Sequence, residues 1–403
     1  MDLKSGYPYW AVKNGLMQAF PPLQDDVQCD VVIVGGGITA ALIAQELTAR
    51  DFDVVVVEQR DIGWGSSAAS TALLQYEIDT HLVDLARQYD EKRAVLAYSA
   101  CAAAIRDLHT LAKDVRDVEF AMQESLYYAS RARDVEALRD EFRMRVKHGF
   151  DVEWLDTGAL RSRYALTAPA GILSRLAARV DPYRMAHRLF QRVARQGNRV
   201  FDRTVIEALE PGPRSVRLRT RDGVNLRCRH AVLAAGYASQ QWLSRNVARN
   251  RSSYAFITDP IDPAALGPLA NTLVWESARP YLYLRSTGDG RLLVGGEDDA
   301  IDIPARRDRR VEKKARVLER KLRKLFPHLP LTPSFSWAGT FAETADGLPF
   351  FGPHTELGPR VHFALAYGGN GITYSMIGAG LIAARLEGRK HPLADFFSFG
   401  RVG

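Results

Sequence analysis

The sequence predicts an α/β fold: a Rossmann-like parallel sheet whose segments are interleaved along the chain with an α+β unit built on an antiparallel sheet. Three observations carry this. Asp30–Val34 is an apolar, β-branched run that ends in Gly35-Gly36-Gly37, leads into a helical pattern through Arg50, and is followed by a second buried strand at Val54–Val57. Such a β-turn-α-β unit calls for parallel strands covered on both faces. From Ser252 the character changes to short strands divided by turn residues, the mark of antiparallel pairing. After Pro333 the chain returns to loop-strand-loop-helix order, ending in Leu381–Leu386.

Length and composition agree with two interleaved units. The chain has 403 residues, 46% of them hydrophobic, and domains average roughly 150 residues. Its 31 glycines and 19 prolines are ordinary usage and exclude collagen-like or disordered classes. Cys29, Cys101 and Cys228 form no CxxC and no disulfide framework, which suits a reducing compartment. The formal charge of +7 is concentrated, because residues 301–330 hold eleven Lys/Arg against four Asp/Glu and the remainder balances to zero. A nucleic-acid binder is therefore not expected. No basic start precedes an apolar core at the N-terminus, and the longest near-apolar run, Val31–Ala44, is too short for a bilayer. A cytoplasmic protein without a transmembrane segment is expected.

In chain order, residues 1–27 form an aromatic lead-in (Tyr7, Tyr9, Trp10), either an arm packed on the body or a substrate-contacting segment. Glu91–Val115 and Arg131–Lys147 read as helices around a strand-like stretch, Val118–Tyr128. Met185–Arg195 is a further helix, with strands around Arg203–Leu209, Val216–Thr220 and His230–Ala235. Ser253–Thr258, Tyr281–Arg285 and Arg291–Gly295 are short strands, the last two joined through Gly288-Asp289-Gly290 as a hairpin. The basic segment is a helix whose Val311, Ala315, Leu318, Leu322 and Leu325 or Phe326 make one apolar stripe. Its charges read as a solvated face, with a docking surface as the alternative.

Gly35 through Ala40 fit GxGxxG/A directly after a strand and at a helix opening, a Rossmann-type dinucleotide fingerprint. Gly35 permits the tight turn, Gly37 lets backbone approach a pyrophosphate, and Ala40 allows close helix–strand packing. Ile38 and Thr39 bring free N–H groups at the helix start. Glu58 lies 21 residues beyond Gly37, at the end of the second strand, where it can hold ribose hydroxyls with Gln59 beside it. It also disfavours a 2′-phosphorylated cofactor. Gly65, Ser66, Ser67, Ser70, Thr71, Ala72 and Leu73 offer backbone and hydroxyl contacts to a pyrophosphate and a flat ring, although a Ser-rich helix cap would read the same way. Val205, Ala235 and Gly236 are further candidates, the last two closing an apolar strand.

At this point the sequence resembles the D-amino-acid oxidase family of FAD-dependent oxidoreductases, the group that includes glycine oxidase, sarcosine oxidase and γ-glutamylputrescine oxidoreductase. The resemblance covers nearly the whole chain. It rests on DVVIVGGGITA with Glu58, GWGSSAASTALL, Val180–Pro182, VLAAG (Val232–Gly236), Trp337–Pro353 and Tyr367–Leu386. SGYPYW and STALLQYEID look closest to the γ-glutamylputrescine oxidoreductase-like branch. The resemblance implies an FAD-binding unit from 28–90, 150–248 and 334–403, and a substrate unit from 91–149 and 249–333. Gly339 and Gly369, Asn370, Gly371, Ile372 and Thr373 join the cofactor candidates. Several relatives attach FAD through a C-terminal cysteine or a histidine near the second glycine motif. Here the last cysteine is Cys228 and Ser66–Leu74 has no histidine, so FAD is expected to be non-covalent. Many relatives also carry an arginine before the position of Asp346, where this chain has Phe341-Ala342-Glu343. That departure puts a carboxylate clamp there in doubt.

The family implies hydride transfer from an amine-bearing carbon to flavin N5, with hydrolysis of the imine and oxygen or another acceptor taking the electrons. Gly368 to Thr373 open a helix whose positive end suits the anionic edge of the flavin, or else make only a turn and a packing surface. On the hairpin, Tyr281, Tyr283 and Arg285 share one strand face and Leu282 and Leu284 the other. Arg285 can bind a carboxylate with Tyr283 as partner, or belong to a solvent-facing hairpin. Tyr254 is a third catalytic candidate, with Tyr76, Glu77 and Tyr367 behind it. No HxH, HExxH, GxSxG or GxxxxGK pattern occurs, and no metal site is expected. The expected function is oxidation of an amine or amino acid. The alternatives are an FAD-dependent dehydrogenase of a 2-hydroxy acid or glycerol-phosphate-like substrate, and a non-catalytic FAD-binding protein.

Overall fold

The computed structural model describes residues 3–300 and 302–402. Met1, Asp2, Ile301 and Gly403, which belong to the expected arm, substrate unit and FAD unit, lie outside the described residues. The first sheet has eight strands, and its spine runs Phe350–Pro353, Val361–Leu365, Asn225–Leu233, Val27–Val34, Val54–Val57 and Arg199–Phe201. All those neighbours are parallel except the first pair. Ile206–Pro211 and Val216–Thr220 extend Asn225–Leu233 as an antiparallel meander.

Alternation along these strands builds two cores. Val31, Ile33, Val54 and Val56 pack with residues of the helices Ile38–Thr48, Glu91–Val115, Pro182–Arg195 and Gly371–Leu386. Val32, Val55 and Val57 cluster with Leu218 and Leu226 of the meander and with Phe363 of the neighbouring strand. The sheet is therefore covered on both faces, by helices on one and by β structure on the other. The strand expected around Arg203–Leu209 is split in two. Arg203 takes a positive φ of 49°, and Asp202 turns inward to accept the Phe20 N–H at 2.8 Å.

The second sheet has ten strands, ordered Lys4–Gly6, Pro333–Glu343, Arg249–Thr258, Leu292–Asp299, Leu282–Ser286, Thr272–Glu276, Ala121–Tyr128, Ala170–Arg179 and Leu73–Gln75, with Val152–Asp156 also on Ala170–Arg179. It is antiparallel except where Thr272–Glu276 runs parallel to Ala121–Tyr128. Leu73–Gln75, Val152–Asp156, Ala170–Arg179 and Pro333–Glu343 join this sheet although the sequence places their segments with the FAD unit, so the chain crosses between the sheets inside those segments. Ala170–Arg179 shows no clean alternation in sequence because it is buried along most of its length.

One face of the second sheet carries the basic helix Pro304–Leu325, whose Val311, Leu318 and Leu322 meet Tyr254, Phe256, Leu282 and Leu284. The other face turns towards the first sheet: Ala255, Leu293 and Trp337 pack with Tyr9, Trp10, Ala68 and Tyr183. The N-terminal segment is thus a packed arm. Lys4–Gly6 pairs with Trp337–Gly339, and the Trp10 indole donates to the Ser70 carbonyl at 2.8 Å. Arg309, Lys313, Arg316, Arg320, Arg323 and Lys324 on this helix are exposed, the solvated face expected, while other cations of the helix are paired. Arg307 meets Asp302 at 2.7 Å, Arg310 meets Asp299 at 2.6 Å and Lys321 meets Glu297 at 2.6 Å.

Between the sheets lies a wholly buried ionic cluster. Arg145, on the helix Val135–Lys147, donates to Glu141 at 2.8 Å and stands 3.6 Å from Glu77. Glu141 also accepts the Leu82 and Val83 N–H groups at 3.1 Å, and Glu77 accepts the Ser174 hydroxyl at 2.6 Å. Burial pushes the Glu77 carboxyl up. Burial also works against Glu141, but Arg145, His81 and the two N–H groups prevail and hold it below its usual range. Removing one partner of a buried ionic group strands the others and costs about 3–5 kcal/mol. Arg145→Met is therefore expected to destabilise the FAD-loaded protein by about that amount in urea unfolding, and the double variant with Glu141→Gln by less.

Candidate functional site

A long cavity opens between the sheets at the carboxyl ends of the parallel strands, the usual ligand position for such a sheet. Its first wall is the glycine loop. Gly35 has φ 125°, and a Cβ there would stand 2.4 Å from the Ala234 carbonyl oxygen. The neighbouring strand thus approaches so closely that only glycine fits. A Cβ on Gly36 would lie 2.7 Å from that of Glu58, whose carboxylate accepts the Gly36 N–H at 2.6 Å and the Arg60 N–H at 2.9 Å. Gly37, by contrast, faces open space, with only Ser67 Oγ near at 3.1 Å. Burial pushes the Glu58 carboxyl up, while the backbone N–H groups of Arg60 and Gly36 oppose that rise.

Neither the helix Ile38–Thr48 nor Gly371–Leu386 is capped by the side chain of its own N-cap residue, and residues of both first turns line the cavity; the Ile38 N–H, expected to be free, donates to the Ser67 hydroxyl at 2.9 Å. The positive ends of the two helices suit a pyrophosphate at one and an anionic ring edge at the other. Gly236 has φ 58° and no atom within 4 Å of where a Cβ would stand, so backbone there can meet a ligand directly. These residues fit FAD. Of the cofactor candidates, all but Ala40, Asn370 and Thr373 line the cavity. Ala40 is fully buried in the core, the packing part of its expected role. Asn370 donates to the Glu77 carbonyl at 2.8 Å and Thr373 Oγ1 stands 3.4 Å from the Gln75 carbonyl. Both therefore position the helix start from behind.

The second wall comes from the second sheet. Tyr281 and Tyr283 line the cavity with their rings 5.5 Å apart, and Tyr283 hydrogen-bonds Ser253 at 3.3 Å. Burial raises both phenols, Tyr283 to about 12, so both stay neutral. Trp275 stands opposite Tyr283 in the strand register, and Tyr237 stacks on Tyr367 at 5.5 Å. The two other catalytic candidates are placed differently. Arg285 shares the strand face of Tyr283 but does not line the cavity. Its three nitrogens donate to the carbonyls of Thr71, Ser286 and Val180 at 2.6, 3.1 and 2.9 Å, and Trp10 covers it. Its guanidinium is committed to backbone, which corrects the expected carboxylate clamp. Burial, with Arg179 nearby, lowers its pKa to about 9. Tyr254 borders the cavity through its strand, but its hydroxyl points to the basic helix and donates to Asp299 at 2.8 Å. Among the weaker candidates, Tyr367 lines the cavity, while Tyr76 and Glu77 are buried behind it.

Two carboxylates escaped the sequence reading. Asp79 lines the cavity and accepts the Gly369 N–H at 2.9 Å. Asp298 is brought in by a β-bulge. Ser252 pairs with Asp299 and Tyr254 with Gly296, so Glu297 and Asp298 together oppose the single residue Ser253. Glu297 takes a φ of 58° there. The extra residue reverses the alternation, turning Glu297 and Asp299 to the basic helix and Asp298 to the cavity. Asp298 Oδ1 is enclosed and has no hydrogen-bond partner among the described residues. Burial pushes this carboxyl up to about 6, helped by Glu343 and Asp79 and opposed by Ser253 and Lys314. The Gly295-Gly296 pair was the available signal, since glycines inside a strand mark bulges and close approach.

Comparison with known proteins agrees with this geometry. Residues 30–385 match the family DAO, FAD dependent oxidoreductase. The chain is 28% identical to glycine oxidase of Geobacillus kaustophilus over 93% of its own length and 98% of that protein's. It is 25% identical to gamma-glutamylputrescine oxidoreductase of Escherichia coli, over 94% and 88%. The crystal structure of glycine oxidase from Geobacillus kaustophilus superposes with a TM-score of 0.78 at 21% identity, covering 94% of this chain and all of that one. The loop, the terminal glutamate and the cavity between two sheets thus sit in the setting that this match describes, and the chain belongs to the DAO family of FAD-dependent oxidoreductases.

Proposed function

We propose that the protein oxidises the C–N bond of a small amine with FAD held non-covalently across the cavity. FAD, when bound, supplies the acceptor for a hydride from the carbon beside nitrogen, leaving an imine that water hydrolyses. The observation that carries this reading is the junction, in one cavity, of a dinucleotide loop with a buried aromatic wall. The two sequence relatives are named for glycine and γ-glutamylputrescine, which are both amines.

In this reading Gly35–Thr39 cradle the pyrophosphate, Glu58 and Gln59 take the ribose, and Ser66, Ser67, Ser70, Thr71, Ala72, Leu73, Gly339, Gly369, Gly371 and Ile372 hold the ring system. Tyr281, Tyr283 and Trp275 wall the substrate end of the cavity. Enclosure of the reacting nitrogen over the flavin ring favours the neutral amine, the form that can give up a hydride, so no side chain need act as general base. Non-covalent attachment is supported by the lining itself: among the described residues it contains neither cysteine nor histidine. Cys29, Cys101 and Cys228 are free and buried. That suits the reducing cytoplasm, and no helix among the described residues is long and apolar enough to cross a membrane.

Two outcomes are expected. Under anaerobic conditions, amines should bleach the visible absorption band of the oxidised flavin, whereas 2-hydroxy acids and glycerol phosphate should not. Readmission of air then reports whether oxygen is the acceptor, and bleaching by hydroxy acids alone would sink the reading. Acid precipitation should leave a colourless pellet and a yellow supernatant. For the cofactor loop, Gly35→Ala should abolish flavin content, because its Cβ would collide with the Ala234 carbonyl. Glu58→Gln should weaken FAD affinity about tenfold, read by flavin fluorescence on dilution.

A further inference from the structure

The substrate half of the cavity has a charge character that the amine reading does not require. Among the described residues lining the cavity, Arg60 alone is cationic, and it stands beside Glu58 at the ribose end. At the other end lie Asp79 and Asp298 with Trp275, Tyr281 and Tyr283. Asp298 has an enclosed, unpartnered Oδ1, turned into the cavity by the bulge at Glu297. A buried carboxylate oxygen without a donor is costly, and an ammonium group is the ligand chemistry that would relieve it. Aromatic faces attract cations as well, and the Tyr281 ring already carries the Arg279 guanidinium 4.7 Å from its centroid. A substrate carboxylate would meet the opposite: two like charges, and an Arg285 whose nitrogens are already committed to carbonyls.

We propose that the substrate is a linear amine that carries a second, protonated nitrogen and no free carboxylate, the second nitrogen being held by Asp298 and Asp79 within the collar of Trp275, Tyr281 and Tyr283. This rests on the reading of the chain as an amine-oxidising enzyme. It assigns the two nitrogens different roles. One is neutral and reacts; the other stays charged and anchors the chain, because free alkylammonium groups titrate near about 10.4. The groups facing Asp298 from its surroundings are Ser253, Glu343, Asp79 and Lys314, together with the neutral Tyr281 and Tyr283. Below about pH 6 Asp298 gains a proton and loses the charge that binds the cation, so affinity should fall as pH drops through that range.

The test titrates the FAD-loaded protein with 1,4-diaminobutane, 1,5-diaminopentane, 1-aminobutane and glycine. Binding is followed by perturbation of the flavin spectrum, and reduction by anaerobic bleaching. The diamines should bind at least about tenfold more tightly than 1-aminobutane. Asp298→Asn should weaken diamine binding more than that of 1-aminobutane, removing most of that advantage and its fall at low pH. Asp79→Asn should reduce the advantage further. The proposal is overturned if glycine reduces the flavin with a higher kcat/KM than either diamine, although amine oxidation then stands. It is also overturned if Asp298→Asn leaves the diamine-to-monoamine ratio unchanged, or if no diamine binds. Asp298-dependent diamine binding with no reduction by any amine would uphold the cationic site and overturn the proposed reaction instead. The wild-type ratio of diamine to monoamine needs no variant, so a misfolded substitution cannot mask the result.

Discussion

The cavity depends on the buried cluster of Glu77, Arg145 and Glu141, because it fixes the segment from Leu73 to Asp79, which links an edge strand of the second sheet to the start of the C-terminal helix. Leu73–Gln75 is an edge strand of the second sheet, and it follows directly on the serine-rich stretch that faces the cofactor space. Glu77 is anchored by Arg145 and Ser174. Its backbone carbonyl then receives the Asn370 amide, and the Gln75 carbonyl lies beside the Thr373 hydroxyl. The start of the C-terminal helix is thereby set from a helix of the other unit. Two residues beyond Glu77, Asp79 holds the Gly369 N–H. An apolar cluster of equal volume would give comparable stability. It would not supply directional bonds that fix the segment's register against both a strand and a helix start.

How much could be read in advance follows from how local each determinant is. The dinucleotide loop was legible because its requirements lie within about thirty residues (a strand, a tight turn, a helix start and a terminal acid) and each demands a particular residue type. The helix Glu91–Val115 was legible with the bounds it has in the structure, where Asp90 caps it. The hairpin faces were read correctly by alternation: Tyr283 lies towards the cavity, and Leu282 and Leu284 lie under the basic helix. What alternation could not say is which residues on the right face still have free donors. Arg285 lies on that face but is claimed by carbonyls from residues 71 and 180, both far away in sequence.

Asp298 escaped for a sharper reason. Counting by twos along Leu292–Asp299 places residue 297 in the cavity and residue 298 beneath the basic helix. One inserted residue inverts that result, and bulges depend on pairing partners that a single strand does not reveal. Glu297 has no glycine's freedom at φ 58°, so the turn is held by what surrounds it. Lys314 donates to its carbonyl at 2.6 Å and Lys321 pairs with its carboxylate. The strained residue is thus secured by the helix opposite.

The concentrated positive charge acquires a structural meaning from this arrangement. Three acids in succession, Glu297, Asp298 and Asp299, would repel one another if they shared a face. The bulge divides them. Glu297 and Asp299 meet Lys314, Lys321 and Arg310 on the helix side, where opposite charge is abundant. Asp298, between them, is turned to a face where no lining cation of the described residues stands beside it, and only the more distant pull of Lys314 reaches through. A strongly basic helix therefore permits an acidic strand end at the core of the second sheet, and the parity of one bulge decides which of its three carboxylates remains unneutralised. That carboxylate faces the substrate space, so the helix that carries the protein's net charge acts on the site by holding the bulge in place, with its cations on the far side of the sheet.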